Sequence, residues 1–157
     1  MKYLKRVALF AVILGGLFLF TGCSNGKVDG SLEEIMAKVY ENVPQNKRPM
    51  GLTNIEVNDE TVESFFGDNK VEYKEALASE SMIGSFAHSV ILVRAKDGAN
   101  IEELKNTIKE SINPRKWICV WVEEEDVIIK NKGDLIIVII VEDEETRTKL
   151  EQGFDNL

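Results

Sequence analysis

The densest apolar stretch comes first. Val7 to Phe20 runs 14 residues without a charge or a strongly polar group (VALFAVILGGLFLF), behind a cationic start at Lys2, Lys5 and Arg6. The chain then turns small and polar from Ser24 to Gly30 (SNGKVDG), a pattern expected of a flexible tether. Beyond it the spacing changes to that of a helix face. Leu32, Ile35, Met36, Val39 and Val43 recur every three or four residues, which predicts an amphipathic helix over 32–42. Ser31, with Glu34 three positions later, has the capping-box spacing, and Pro44 ends the pattern. Residues 44–54 (PQNKRPMGLTN) show no period and read as an irregular link. A short helix is expected from a cap at Asn58 or Asp59 to Phe66. Gly67 stands where a terminating glycine belongs, and Val62, Phe65 and Phe66 face inward.

The second half alternates with period two. Val71 to Glu80 reads as a partly exposed strand, with Val71, Tyr73 and Leu77 on one side and Ala76 and Ala78 on the other. Phe86 to Ala95 (FAHSVILVRA) is a stronger strand. It sets Ala87, Ser89, Ile91 and Val93 against Phe86, His88, Val90 and Leu92, and its few charges suit a central position. Asp97-Gly98 is a turn, and Asn100 caps a helix whose buried face is Ile101, Leu104, Ile108 and Ile112. Asn113-Pro114 stops or restarts the chain, and Trp117 to Val122 fits a helical turn or a strand equally well. Val127–Lys130 and Leu135–Val141 flank Asn131-Lys132-Gly133-Asp134, a hairpin signal. LIIVIIV is apolar throughout, as in a strand buried on both sides, with Asp134 and Glu142 as charged gatekeepers. Asp143 to Phe154 is expected to close the chain as a helix with Leu150 and Phe154 inward. These elements describe one α+β domain over residues 31–157, with a mixed or antiparallel sheet of about four strands and helices packed on one face.

The start of the chain has a separate meaning. A positive n-region, a 14-residue apolar run and small residues before a cut site make a secretory signal peptide, residues 1–22. The run falls short of the ~20 apolar residues needed to span a bilayer. Cys23 follows Thr21-Gly22 directly, and Phe20-Thr21-Gly22-Cys23 resembles the lipobox of bacterial lipoproteins, with Phe20 where Leu is usual. The resemblance implies cleavage between Gly22 and Cys23 and lipidation of the Cys23 thiol. It also implies attachment to the lipid bilayer through N-terminal acyl groups at the extracytoplasmic face of the cell membrane. Two acyl chains give stable anchoring where one gives marginal binding. If the cell has an outer membrane, Ser24 in place of the usual retention aspartate permits sorting there.

Charge and cysteine count narrow the picture. The 157 residues carry a net charge of −8; removing residues 1–22, which hold three bases and no acid, leaves 135 residues at −11. Such a chain lacks the clustered Lys and Arg that nucleic-acid binding requires. With Cys23 lipidated, Cys119 has no intramolecular partner, and in its apolar run it is expected to be a buried, inert thiol. One histidine and two cysteines supply no zinc spacing, so no metal or cofactor is expected.

Three stretches, YKEALASESMIGSFAHSVILVRAKDGA, NPRKWICV and NKGDLIIVII, resemble the family called domain of unknown function 4358, small bacterial lipoproteins. The likeness covers most of the mature chain, chiefly residues 73–141. Where the family has Tyr-Tyr-Leu-Gly, this chain has Ser64-Phe65-Phe66-Gly67. The resemblance implies a lipoprotein with a single domain and brings no catalytic or binding residues with it.

Candidate chemistry is sparse. His88 is the only histidine, with Ser85 and Ser89 close in sequence. A hydrolase needs a nucleophile and an orienting acid around such a base, yet Ser89 points to the opposite face and no G-x-S-x-G elbow occurs. The alternative is a hydrogen-bonded histidine among apolar neighbours. Ser79 to Ser85 (SESMIGS), with Ser81 and Ser85, is either a ligand-contacting loop or a capped turn. Arg115-Lys116-Trp117 is a basic island that suits an anion or headgroup, or else a packed indole beside cations paired with nearby acids. The acidic runs Glu123–Asp126 and Glu142–Glu145 lack the alternation of a calcium loop and suit solvated strand ends and a helix start. The expected function is a non-enzymatic accessory or interaction lipoprotein of the cell envelope, with an envelope protein as partner. A lipoprotein binding a small ligand or cell-wall fragment is the alternative, and a hydrolase acting through His88 is a third reading.

Overall fold

In the computed structural model, which describes residues 26–67 and 71–157, the apolar run becomes the strand that fixes the architecture. β5 (Leu135–Val141) has all seven residues buried. It lies between β3 (His88–Arg94), also buried throughout, and β4 (Ile128–Lys132). β2 (Glu75–Ser81) pairs with the other side of β3, and β1 (Leu52–Glu56) with β2. The order is β1-β2-β3-β5-β4, with every pair antiparallel.

Two cores follow from the period of two. Ala76, Ala78, Ile91, Val93, Ile136, Val138 and Ile140 point to one face. There they meet α2 (Val62–Phe66) through Phe65 and Phe66, and α3 (Ile101–Ser111) through Leu104 and Ile108. Leu77, Val90, Leu92, Ile137, Ile139 and Val141 point to the other. They meet α1 (Leu32–Val39) through Ile35, Met36 and Val39, and α4 (Glu144–Asp155) through Leu150 and Phe154. The fold class is α+β as the sequence indicates, with a wholly antiparallel sheet. The helices, however, cover both faces rather than one. A sheet whose central strands are apolar on both sides leaves neither face fit for water.

The caps carry much of the local order. Ser31 and Glu34 form the reciprocal capping box, and Asn100 and Asp143 cap α3 and α4 by accepting the N–H of Glu103 and Thr146. The first helix stops at Val39, three residues before the expected end. Arg48 donates to the carbonyls of Tyr40 (2.6 Å) and Val43 (3.1 Å), serving acceptors that the helix end and the turn after it leave open. The link at 44–54 contains an unforeseen strand, the start of β1. Its two apolar residues go to opposite faces, Leu52 with one core and Ile55 with the other, so no amphipathic pattern shows. The helix expected from Asn58 begins at Val62, because Asn58 organises the preceding turn instead, accepting from the Glu60 N–H. Val71 and Tyr73 precede β2 and pack on the α2 side, not with Leu77. Trp117 to Val122 is neither helix nor strand but part of an irregular loop. The β4–β5 hairpin is tighter than expected: Lys132 pairs with Leu135 across the two-residue loop Gly133-Asp134, with positive φ at Gly133.

Gly22, Cys23 and the stretch expected to be a signal peptide lie outside the described residues. Where description begins, the tether is not loose. Arg94, at the end of β3 and nearly buried, donates to the carbonyls of Val28 (2.6 Å) and Gly30 (2.9 Å) while bonding Glu75 at 2.6 Å. The Val28 N–H reaches Asp134 at 3.3 Å, and Lys27 pairs with Asp97 at 2.7 Å. Residues 27–30 are thus strapped to the end of the sheet formed by the close of β3 and the β4–β5 turn. Both cores and all five strands lie within 28–157.

Gly153 marks where α4 and α1 touch. A Cβ there would run into the backbone carbonyl of Val39. Gly153→Ala should therefore lower stability by about 1–3 kcal/mol through overpacking, despite the roughly 1 kcal/mol gain in helix propensity. Urea unfolding measures the sign; a more stable variant would contradict the close approach.

Candidate functional site at one end of the sheet

The sequence candidates converge at the sheet end opposite the strap. The Met82–Ala87 link between β2 and β3 meets the loop after α3, where the Ile118 N–H donates to the Gly84 carbonyl at 2.8 Å. Ser79 and Ser81 are strand residues of β2 rather than loop. The Ser81 hydroxyl is buried; it lies 2.9 Å from the Met50 carbonyl and accepts the Ile83 N–H at 3.2 Å. Ser81 is thus the capped-turn residue of the two readings. Ser85 is exposed at the tip.

His88 opens β3 on the α1 side, buried, with Nε2 2.7 Å from the Tyr40 hydroxyl. Burial pushes the imidazole down from 6.5 to about 4 and pushes the Tyr40 phenol up, so a neutral ring and a neutral phenol share this hydrogen bond. Ser89 faces the other way, its hydroxyl 3.3 Å from Glu80. The base–nucleophile pair considered for His88 with Ser85 or Ser89 is not formed. His88 is the hydrogen-bonded core histidine of the alternative reading.

The basic island divides. Arg115 is exposed, pairs with Glu123 at 2.7 Å and lies 5.4 Å from the Trp121 ring. Lys116 turns inward to Glu80 at 2.8 Å, both side chains less than one-fifth exposed, with its Nζ 4.8 Å from the Phe65 ring and 5.3 Å from that of Trp117. Trp117 is packed in the core, and its Nε1–H has no hydrogen-bond partner among the described residues. Arg115 and Lys116 therefore pair with acids, as the packed-indole reading has it, although Lys116 is largely buried rather than solvated. Asp143, in one acidic run, is held below the usual carboxylate range by the hydroxyl and N–H of Thr146, as expected of a helix cap. Among the described residues no His, Cys, Asp and Glu side chains gather as a metal site, and no helix is long and apolar enough to cross a membrane.

Two features escaped the sequence reading. Cys119, expected buried, is exposed and adopts φ +63°, because the loop turns there instead of continuing as a strand. The same end also presents Met50, Met82 and Ile118, each about 70% exposed, with Ile83 and Trp121 less so. Gly51 brings the first of these beside the next, since its Cβ position lies 3.4 Å from Ile83 and the Met82 N–H bonds its carbonyl. The signal available was an apolar pair, Met82-Ile83, inside an otherwise polar link. Among protein-family models, curated proteins and solved structures, no match to this chain was found.

The folded-state depression at His88 makes a pH prediction. Because folding lowers its proton affinity, its contribution to stability is complete above about 6.5 and is lost as pH falls toward 4. The loss is on the order of 3 kcal/mol. Native protein should lose about that much more than His88→Gln between pH 7 and 4; parallel curves would contradict a buried neutral ring. At the ion pair, Lys116→Met strands the Glu80 carboxylate and should cost roughly 3 kcal/mol. The double change Glu80→Gln/Lys116→Met should cost less than the two single changes summed, a coupling that a double-mutant cycle reads directly.

Proposed function

We propose that the chain is a membrane-anchored extracytoplasmic lipoprotein whose domain is a non-enzymatic accessory or interaction module of the cell envelope. The carrying observation is the order Lys2-Lys5-Arg6, Val7–Phe20, Thr21-Gly22-Cys23. A cationic start, a short apolar run and small residues before a cysteine match what export and lipidation require. The resemblance to domain of unknown function 4358 points the same way. Lipidation at Cys23 would leave only a few residues between the bilayer and the strap fixed by Arg94. The strapped end of the sheet would then face the lipid, and the end bearing Met50, Met82, Ile83 and Ile118 would face outward. The interaction reading is supported by the polar candidates themselves: Ser81, His88, Arg115 and Lys116 are engaged in contacts that hold the fold, while large apolar side chains lie open nearby.

A second reading, capture of a small ligand or cell-wall fragment, is favoured by one feature. A groove of about 460 Å³ opens between α3 and residues 124–129, floored by Ile112, Val127 and Ile129 and flanked by Lys105 and Lys109. Its size lies within the range of ligand clefts. A ligand at 100 times its Kd would raise stability by about 2.7 kcal/mol, which thermal-shift screening detects.

Cys23→Ala tests the main reading. The variant is expected in the soluble or unprocessed fraction of cells in which the native protein is membrane-bound. A processed variant that stays with the membrane would contradict anchoring through Cys23.

A further inference from the structure

The sheet has two edges, and they differ. β4 carries Lys130 and Lys132, and Lys130 is tied to Glu151 (3.0 Å) and Asp155 (2.7 Å) of α4. Lysines on an edge discourage a further strand. β1 reads Leu52-Thr53-Asn54-Ile55-Glu56, with no lysine, proline or bulge.

Its hydrogen-bonding phase follows from its ends. The Val57 N–H donates to the Ala76 carbonyl and the Met82 N–H to the Gly51 carbonyl, both at 3.0 Å. Antiparallel pairs alternate between bonded and unbonded, so Gly51, Thr53, Ile55 and Val57 turn their peptide groups toward β2. Leu52, Asn54 and Glu56 turn theirs away. The Glu56 carbonyl accepts the Thr61 hydroxyl at 2.8 Å. Among the described residues, the N–H and C=O of Leu52 and of Asn54 and the N–H of Glu56 have no partner, which leaves three donors and two acceptors in strand register.

The edge is also polarised along its length. Met50, Met82 and Ile83 stand exposed at its start; Glu56, Asp59 and Glu60 stand exposed at and beyond its end. We propose that the outer edge of β1, with Met50, Met82 and Ile83, is a strand-addition site for an extended segment of a partner protein. That segment is apolar at one end and basic at the other. Main-chain bonds to Leu52 and Asn54 supply register, the methionine–isoleucine corner seats the apolar side chains, and the carboxylates face the bases. A second copy fits poorly. Antiparallel self-pairing about Asn54 would set Glu56 of each copy opposite Leu52 and carry the acidic end onto the apolar corner, desolvating carboxylates without a partner.

The test uses residues 24–157, which contain every element of the fold. The probe is a synthetic eight-residue peptide alternating Thr and Val, with two lysines at its N-terminal end and two leucines at its C-terminal end. The expected result is amide shift changes in NMR confined to residues 50–56 and 82–83. A peptide with glutamates for the lysines should bind at least tenfold more weakly. Asn54→Pro should also reduce binding at least tenfold while leaving thermal unfolding near that of the native chain, because the amide it removes points away from β2. If that variant unfolds, Met50→Ser/Met82→Ser, altered only at exposed side chains, should weaken binding at least fivefold. The proposal is overturned by an absence of shifts at millimolar peptide, by a footprint elsewhere, or by affinity unchanged in both variants. A β1-paired dimer in sedimentation would also overturn it.

Discussion

The two-sided burial of β5 is the constraint on which the rest depends. Seven consecutive apolar residues cannot leave either face to water, since each side chain contributes roughly 1.5–3 kcal/mol only when fully covered. One set of alternating residues therefore calls for α2 and α3, and the other for α1 and α4. The same demand makes β3 a second wholly buried strand and pushes β1 and β4 to the edges. A sheet built this way has no polar mid-face on which to assemble a site. Chemistry and recognition are left to its ends, its edges and the surface grooves.

The two ends have become different. At one, Arg94 spends its guanidinium on the carbonyls of Val28 and Gly30 and on Glu75, so the segment leaving the domain is held in place. At the other, the links before β1, between β2 and β3, and after α3 come together and leave their apolar tips exposed. An anchor at Cys23 would turn that difference into an orientation, with the secured end toward lipid and the apolar end outward. The polar residues between the two cores carry structural duties. His88 answers Tyr40, and Lys116 answers Glu80.

Strong periodicity was legible and weak periodicity was not. LIIVIIV, the face assignments of β3 and the caps at Ser31 and Asn100 follow from spacing and turn chemistry, and the structure has all of them. β1 was invisible because five residues with one apolar side chain on each face make no pattern, and only pairing with β2 makes them a strand. Helix placement on both faces was implicit in the unbroken apolar runs, but it required counting both sides of β5 as needing cover. Exposure of Cys119 and the strap at residues 27–30 depend on long-range contacts, to Gly84 through Ile118 and to Arg94, which no local window contains. Of the candidate site, the loops carrying Ser85 and Arg115–Trp117 adjoin at one end through Ile118 and Gly84, while Ser81 and His88 lie side by side on the α1 face of the sheet.

The central claim is that a doubly buried sheet leaves one edge open beside an apolar end. Native-state hydrogen exchange of residues 24–157, resolved residue by residue, tests it most directly. The account predicts the slowest exchange in β3 and β5 and an alternation along β1, with Leu52 and Asn54 exchanging far faster than Thr53 and Ile55. Uniform protection across β1, comparable to that of β5, would show the edge to be covered and would contradict the account.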